Sequence, residues 1–164
     1  MMKNNIIEIK NLKKTYSNGL EALRGININI EKGKFFGLLG PNGAGKTTTI
    51  GILTGLVNPS SGSVLVNDYD IIKDYKETRK MIGLSPQEIN LDVFFTIKEL
   101  LIFQGGYYGL SMVESKRRVE KLLIDLGLED KANSKARELS GGMKRRVQIA
   151  KALVHDPEII ILDE

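Results

Sequence analysis

The sequence contains no cysteine and no tryptophan, and only four of its 164 residues are proline. Without cysteine the chain has no thiolate nucleophile, no cysteine-ligated zinc or iron–sulfur cluster, and no disulfide framework. No apolar run approaches the roughly 20 residues of a membrane-spanning helix, so we expect none. Residues 1–5 include no apolar signal region, which predicts a cytoplasmic protein.

The residues that are present describe a globular protein. Hydrophobic residues make up 41% of the chain, enough to bury a core, and glycine occurs 17 times. The 24 Lys and Arg residues exceed the 20 Asp and Glu residues by only a net charge of +4. So small an excess is typical of an ordinary solvated surface, and we expect no nucleic-acid partner.

The first third of the chain has the pattern of a sheet. Ile and Asn alternate over residues 26–30, with a shorter version of the pattern at residues 7–9, as in strands with one buried face. Residues 35–39 are apolar on both faces, which predicts a buried central parallel strand. A glycine-rich turn follows, and then a helix with Ile50, Leu53 and Val57 on one face. This order opens an α/β unit.

Short strands are predicted at residues 64–66 and 81–84, and helices from about Phe94 onward. Thr96 with Glu99, and Ser111 with Glu114, have the spacing of a helix-capping box. An apolar stripe then ends at Gly127, a suitable C-terminal cap; it comprises Val119, Leu122, Leu123 and Leu126. The chain is therefore predicted to be an α/β core interrupted by a helical insertion at about residues 89–155.

The glycine-rich turn matches the phosphate-binding pattern G-x-x-x-x-G-K-[ST] at every fixed position; its residues, the phosphate loop, are Gly40, Pro41, Asn42, Gly43, Ala44, Gly45, Lys46 and Thr47. Glycines let backbone N–H groups converge on phosphate oxygens, and the helix start adds its positive dipole end. Lys46 supplies a charge to the β- and γ-phosphates, and Thr47 a hydroxyl to Mg²⁺. A strand before the loop and a helix after it are the context that the pattern requires.

Two carboxylates, Asp163 and Glu164, follow the apolar run at residues 159–162. They are predicted to lie at the carboxyl end of a buried parallel strand, the edge where α/β sheets bind ligands. Asp163 is suited to hold Mg²⁺, and Glu164 to orient or deprotonate an attacking water. Taken alone, acids that simply end a strand would explain the pattern equally well.

A second glycine turn, the signature turn, opens a later helix and consists of Ser140, Gly141 and Gly142. Ser140 is a natural N-cap, and the free amides behind it form a second candidate anion site. A simple capping turn is an equal alternative when these residues are considered alone.

The order of these motifs resembles the ATP-binding cassette (ABC) family of ATPases. The residues 139–142 Leu-Ser-Gly-Gly separate that family from other P-loop proteins, such as kinases. The resemblance implies an α/β fold: a RecA-like P-loop NTPase core with an N-terminal antiparallel β portion and an inserted α-helical subdomain. The implied division is residues 1–88 for the β portion and P-loop core, 89–155 for the helical subdomain, and 156–164 for the Walker B strand.

The resemblance also assigns roles to single residues. Tyr16 stands where the family has its adenine-stacking aromatic, and Thr48 joins the phosphate loop in binding ATP. Gln87 matches the glutamine that contacts Mg²⁺ and the attacking water. The implied catalytic residues are thus Glu164, Gln87 and Lys46, and the implied Mg²⁺ ligands Thr47, Gln87 and Asp163.

In the family, two cassettes dimerise head to tail, so that each signature turn caps the γ-phosphate held by the other chain. The implied partners are a second ATPase subunit, as a homodimer, and an integral membrane permease on a separate chain, at the inner face of the membrane. Met143, where many importers have Gln, and residues 105–109 resemble the ABC-2 or drug-resistance exporter branch.

A different class, a soluble ATP switch of the translation-associated kind, remains open. A DNA-repair type is disfavoured because the stretch between Lys46 and Ser140 is too short for its long coiled coil. Family members continue beyond the last strand with a dimer-contact loop and a switch histidine, which His155 does not match. We therefore expect residues 1–164 to be a truncated domain that hydrolyses ATP slowly or not at all.

Overall fold

The structure, a computed structural model, describes residues 4–163, and the chain divides into two units, Met1–Arg79 and Lys80–Glu164. In the first unit, four strands form one antiparallel sheet in the order β2-β1-β3-β4. These are β1 (Asn5–Thr15), β2 (Glu21–Glu31), β3 (Ser61–Val66) and β4 (Tyr69–Asp70), with helix α1 (Lys46–Leu53). Helix α2 (Tyr75–Met81) begins in this unit. The predicted N-terminal antiparallel β portion is present.

Alternating isoleucines set the register of this sheet. Ile9 of β1 lies opposite Ile28 on one side and Val64 on the other. The apolar side chains share one face, because successive residues of a strand point to opposite faces. The most deeply buried hydrophobic residues of this unit are Ile7, Ile9, Leu12, Ile52, Val64 and Val66.

Residues 35–39 correct the prediction of a buried central strand. They form no strand, and the side chains of Phe35 and Leu39 are almost completely exposed. A strand that is apolar on both faces depends on ladder partners and on cover, and among residues 4–163 this segment pairs with no strand. α1 also ends earlier than predicted, so Val57 lies beyond the helix, where its side chain packs on Gly51.

The second unit combines a two-stranded parallel sheet with three helices. β5 (Ile82–Ser85) pairs with β6 (Ile159–Leu162), and the helices are α3 (Ile97–Tyr107), α4 (Met112–Asp125) and α5 (Gly141–Leu153). Two short 3-10 turns, Glu129–Lys131 and Ala136–Glu138, connect α4 to α5. The helices share one core, whose most deeply buried members are Ile97, Leu101, Val119, Leu128, Val147, Ala150 and Val154.

The helix caps follow the predicted residues with one difference. Thr96 and Glu99 form the reciprocal capping box at the start of α3. Ser111 caps α4 by accepting a hydrogen bond from the amide of Glu114, but the Glu114 carboxylate turns to two arginines instead of closing the box. Hydrogen bonds from Arg117 and Arg118 lower the pKa of Glu114 to about 2.

The final strand is a second correction. β6 is present and parallel, as predicted, but it is not buried, since Ile160 and Leu162 are about half exposed. In the described chain β6 has a ladder partner on one edge only, so its other edge is unpaired, and its exposed residues alternate with half-buried ones. The boundary between the units falls within α2, and the division at residues 88/89 and 155/156 stays a prediction. None of the helices within residues 4–163 is long and apolar enough to cross a membrane.

Candidate functional site

Gly45 fixes the geometry of the phosphate loop. It is the N-cap of α1 and has a φ of 86°, in the left-handed region. A Cβ atom at this position would lie 2.7 Å from the carbonyl oxygen of Ala22 on β2. Both the backbone angle and the available space therefore require glycine, which explains the residue type from the local fold alone.

Lys46 folds back over the same loop. Its Nζ donates hydrogen bonds to the carbonyl oxygens of Gly40 and Pro41, the latter at 2.9 Å. The first amides of a helix have no intrahelical acceptor, and the first turn of α1 includes no acidic side chain. The loop thus gathers an ammonium group and free amides at one place, a positive site suited to phosphate.

Tyr16 is tied to the same helix. Its hydroxyl lies 3.3 Å from Oγ1 of Thr48, in the first turn of α1. Lys14 places its ammonium 5.0 Å from the centre of the tyrosine ring. The structure therefore brings Tyr16, Lys46 and Thr48 together in the first unit, while the side chain of Thr47 is exposed.

Gln87 and Asp163 follow two neighbouring strands of the second unit. β5 and β6 are parallel, and their last residues, Ser85 and Leu162, are paired. The amide of Asp163 donates to the carbonyl oxygen of Ser85 at 3.0 Å, so Asp163 continues directly from the ladder. A carboxylate and an amide side chain thus share one strand edge, where α/β sheets bind ligands.

Glu164, predicted to activate water, lies outside the described residues. Within residues 4–163, no group of three or more His, Cys, Asp or Glu side chains is arranged to hold a metal ion. The predicted Mg²⁺ ligands are instead a hydroxyl, an amide and one carboxylate. Such oxygen donors are the kind that Mg²⁺ takes when phosphates and water supply its remaining ligands.

The signature turn is built differently from the phosphate loop. Ser140 has the extended angles of an ordinary N-cap, and its hydroxyl accepts a hydrogen bond from the amide of Met143 at 3.3 Å. Gly141 and Gly142 are exposed, and a Cβ at either position would meet nothing within 4 Å. Nothing within the described chain requires glycine there.

Sequence reasoning missed one polar residue beside Gln87. Gln148 is buried on α5, and its amide binds the turn that contains Gln87. A signal was available, since Gln148 interrupts an apolar helix face with Val147 on one side and Ala150 on the other. A buried polar side chain in such a position normally has a hydrogen-bonding task.

The glycine-rich loop that opens α1 is the phosphate-binding element of P-loop NTPases, and solved ABC ATPase domains share the fold of this chain. The family model described as "ABC transporter" matches residues 23–164, and the chain belongs to this family. Members of the family bind and hydrolyse ATP.

Curated relatives of the chain are ATP-binding proteins. The linearmycin resistance ATP-binding protein LnrL of Bacillus subtilis is 44% identical over 97% of this chain and 51% of its own length. The Nod factor export ATP-binding protein I of Cupriavidus metallidurans is 41% identical over 97% of this chain and 52% of its own length. The chain thus spans about half the length of the curated relatives it matches.

Solved structures agree with this assignment. The protein cbiO1 from Clostridium perfringens, part of the ABC transporter complex cbiONQ, has a TM-score of 0.84 and 34% identity, covering 99% of this chain and 66% of its own. A dimeric ATP-binding cassette in a post-hydrolysis state, bound to ADP and Pi, has the same score and identity, covering 96% of this chain and 73% of its own.

Proposed function

We propose that the protein is the ATP-binding and ATP-hydrolysing subunit of an ABC exporter, and that it drives transport through a permease on a separate chain. The names of two relatives, which refer to linearmycin resistance and Nod factor export, support an exporter. The observation that carries the proposal is the loop at Gly45, where the fold itself demands glycine and Lys46 folds back over the loop carbonyls.

Different residues of the proposed site bind different parts of Mg-ATP. Lys46 and the loop amides bind the phosphates, and Tyr16, fixed to Thr48, stacks on the adenine. Thr47, Gln87 and Asp163 would hold Mg²⁺, which neutralises charge on the phosphates when bound. Glu164 orients and deprotonates the attacking water.

The signature turn serves a second copy of the chain. Its two glycines have open space around them, and the turn begins a helix, so a phosphate from another molecule has room to approach closely. ATP then lies between a phosphate loop and a partner's signature turn, and it stabilises the dimer because it makes contacts there that a monomer cannot supply. A dimeric neighbour bound to ADP and Pi supports this arrangement.

The permease contact uses exposed apolar side chains of the second unit. Val93, Phe94, Phe103 and Tyr107 are more than half exposed, and they lie on α3 and the turn before it. Large exposed aromatic side chains grouped on one surface are typical of a site that contacts another protein. The proposed location is therefore peripheral, on the inner face of the membrane. A six-helix membrane protein encoded in the adjacent reading frame would support this part of the proposal.

Titration with Mg-ATP tests the nucleotide site. Lys46→Ala removes the ammonium group from the loop, and we expect isothermal titration calorimetry to detect no binding in the micromolar range. Lys34→Ala is the matched control, because it removes the same charge from an exposed position outside the loop. Micromolar affinity retained by Lys46→Ala would contradict the assigned site.

A further inference from the structure

The turn that contains Gln87 is held by a side chain of the signature helix. Nε2 of Gln148 donates to the carbonyl oxygen of Pro86 at 2.7 Å and to that of Glu88 at 2.8 Å. These two carbonyls flank Gln87, while the Gln87 side chain itself is exposed. One buried amide therefore grips the backbone on both sides of the candidate catalytic glutamine.

Two further contacts join the same elements. Arg145, one turn earlier on α5, donates to the carbonyl oxygen of Pro86 at 2.8 Å. Gly83 of β5 lies so close to the carbonyl of Ala152 on α5 that a Cβ would collide with it. The strand that leads to Gln87 and the turn that presents it are thus both attached to one helix, and that helix begins at Ser140.

Packing alone does not explain an amide at position 148. Gln148 is 3% exposed, and its Oε1 atom is buried without a hydrogen-bond partner among the described residues. Burying an unpaired polar atom has a cost that a methionine of similar shape would avoid. The two donated hydrogen bonds are the gain that offsets this cost, and both acceptors lie in the Gln87 turn (residues 86–88).

We propose that Gln148 is a positioning residue that fixes the Gln87 turn to the signature helix, so that the two move as one body. The inference rests on the proposed function, in which Gln87 reaches the nucleotide and Ser140 reaches a partner's nucleotide. A displacement of Gln87 on ATP binding is then passed to the signature turn through the Gln148 amide.

The absence of native cysteine makes the turn accessible to site-specific labelling. A nitroxide attached at Gln87→Cys reports the mobility of the turn by electron paramagnetic resonance. We expect an immobilised spectrum with Gln148 present, and loss of the immobilised component in Gln148→Met, which keeps the volume but lacks the donors. Gln104→Met, the same change on α3, is the control and should leave the spectrum unchanged.

Gln148→Glu separates hydrogen bonding from packing. Ionised, this side chain cannot donate to the two carbonyls, and we expect a mobile label; protonated, it regains one donor, so lowering the pH should restore immobilisation. The protein with native Gln148, labelled and measured at the same pH, corrects for other titrations. A label that is immobile in both Gln148 variants, with circular dichroism showing a folded protein, would overturn the proposal.

The kinetic arm uses the full-length protein. Gln148→Met should lower kcat several-fold while KM for ATP stays nearly unchanged, because the variant misplaces Gln87 without touching the phosphate loop. Unchanged mobility with normal ATP binding would refute the role of Gln148 alone. Absence of ATP binding by the unaltered protein would refute the proposed function, while leaving the mobility result interpretable.

Discussion

Two glycine turns open helices in this chain, and the reasons for their glycines differ. At the phosphate loop, Gly45 has a left-handed φ and a neighbouring carbonyl where a Cβ would stand. At the signature turn, Ser140 has ordinary extended angles, and Gly141 and Gly142 border open space. The first glycine is required by the fold, whereas the other two are not.

This difference indicates which molecule imposes each constraint. A glycine that the fold needs is explained by contacts inside the chain. A pair of glycines that the fold does not need points to a close approach by something outside it, such as a phosphate at the helix start. Substitutions can therefore separate the two turns. At Gly45 stability and ATP binding should fall together, whereas at the signature glycines dimerisation should weaken without a loss of stability.

The largest effect is expected at the first turn. Gly45→Ala forces a side chain into a left-handed backbone, which costs about 1–2 kcal/mol, and adds a contact with the carbonyl of Ala22. We expect a marked fall in the free energy of unfolding, measured with urea, together with loss of ATP binding. Gly37→Ala is the control, since a Cβ there meets nothing within 4 Å. Equal stability of the Gly45→Ala and Gly37→Ala variants would show that the fold does not require glycine at position 45.

A smaller loss is expected from Ser140→Ala, which removes the hydroxyl that accepts from Met143. Loss of such a cap costs about 1 kcal/mol. Binding of ATP to the monomer should not change, because it depends on the phosphate loop, but ATP-dependent dimerisation of the full-length protein should weaken. Analytical ultracentrifugation with and without ATP measures this, and Ser140→Thr, which keeps the hydroxyl, should behave more like the unaltered protein.

Most local structure could be predicted from the sequence, because the signals are local. Alternating Ile and Asn predicted β2, and Thr96 with Glu99 predicted the start of α3 to the residue. The phosphate loop could also be predicted, because its fixed glycine and lysine positions are the ones that phosphate binding requires. Family membership, inferred from the motif order, is confirmed.

The failures share a physical cause. Residues 35–39 and 159–162 were predicted to be buried from their composition, but burial depends on partner strands that the segment's own sequence does not reveal. α2 was not predicted, because its sequence has no periodic apolar face. The apolar neighbours of Gln148 indicate a polar residue with a hydrogen-bonding task, but its partner lies in a turn some sixty positions away, which the local pattern does not reveal.

A gain in stability is expected at the second glycine of the signature turn. Gly142→Ala replaces glycine within the first turn of α5, where alanine is favoured by roughly 0.5–1 kcal/mol and meets no neighbour. Thermal unfolding should therefore occur at a higher temperature, while ATP-dependent dimerisation becomes weaker. A variant that is more stable and dimerises normally would show that no ligand approaches this turn.

The smallest effect at neutral pH is expected at the other end of α5. His155, the only histidine, stacks on Tyr108 with ring centres 3.5 Å apart, and its Nε2 lies 3.1 Å from the carbonyl oxygen of Ile82. Burial lowers the pKa of His155 below its usual 6.5, so the neutral ring is the folded form. Its Nδ1 is buried with no partner among residues 4–163.

The direction of the pH effect follows from that pKa shift. The unfolded chain takes up the proton first, so the stability from His155 is complete above pH 6.5 and is lost as the pH falls toward the lower folded pKa. His155→Gln keeps an N–H donor without a titrating group, and it should flatten the urea stability profile between about pH 5 and 8. The ion pairs of Glu114 contribute little to the slope in that window, because its folded pKa of about 2 and its usual value of 4.5 both lie below pH 5. If the slope of stability against pH were unchanged in His155→Gln, protonation of His155 would not affect folding. The C-terminal end of α5 would then respond neither to pH nor to a ligand, whereas its start is expected to respond to ATP.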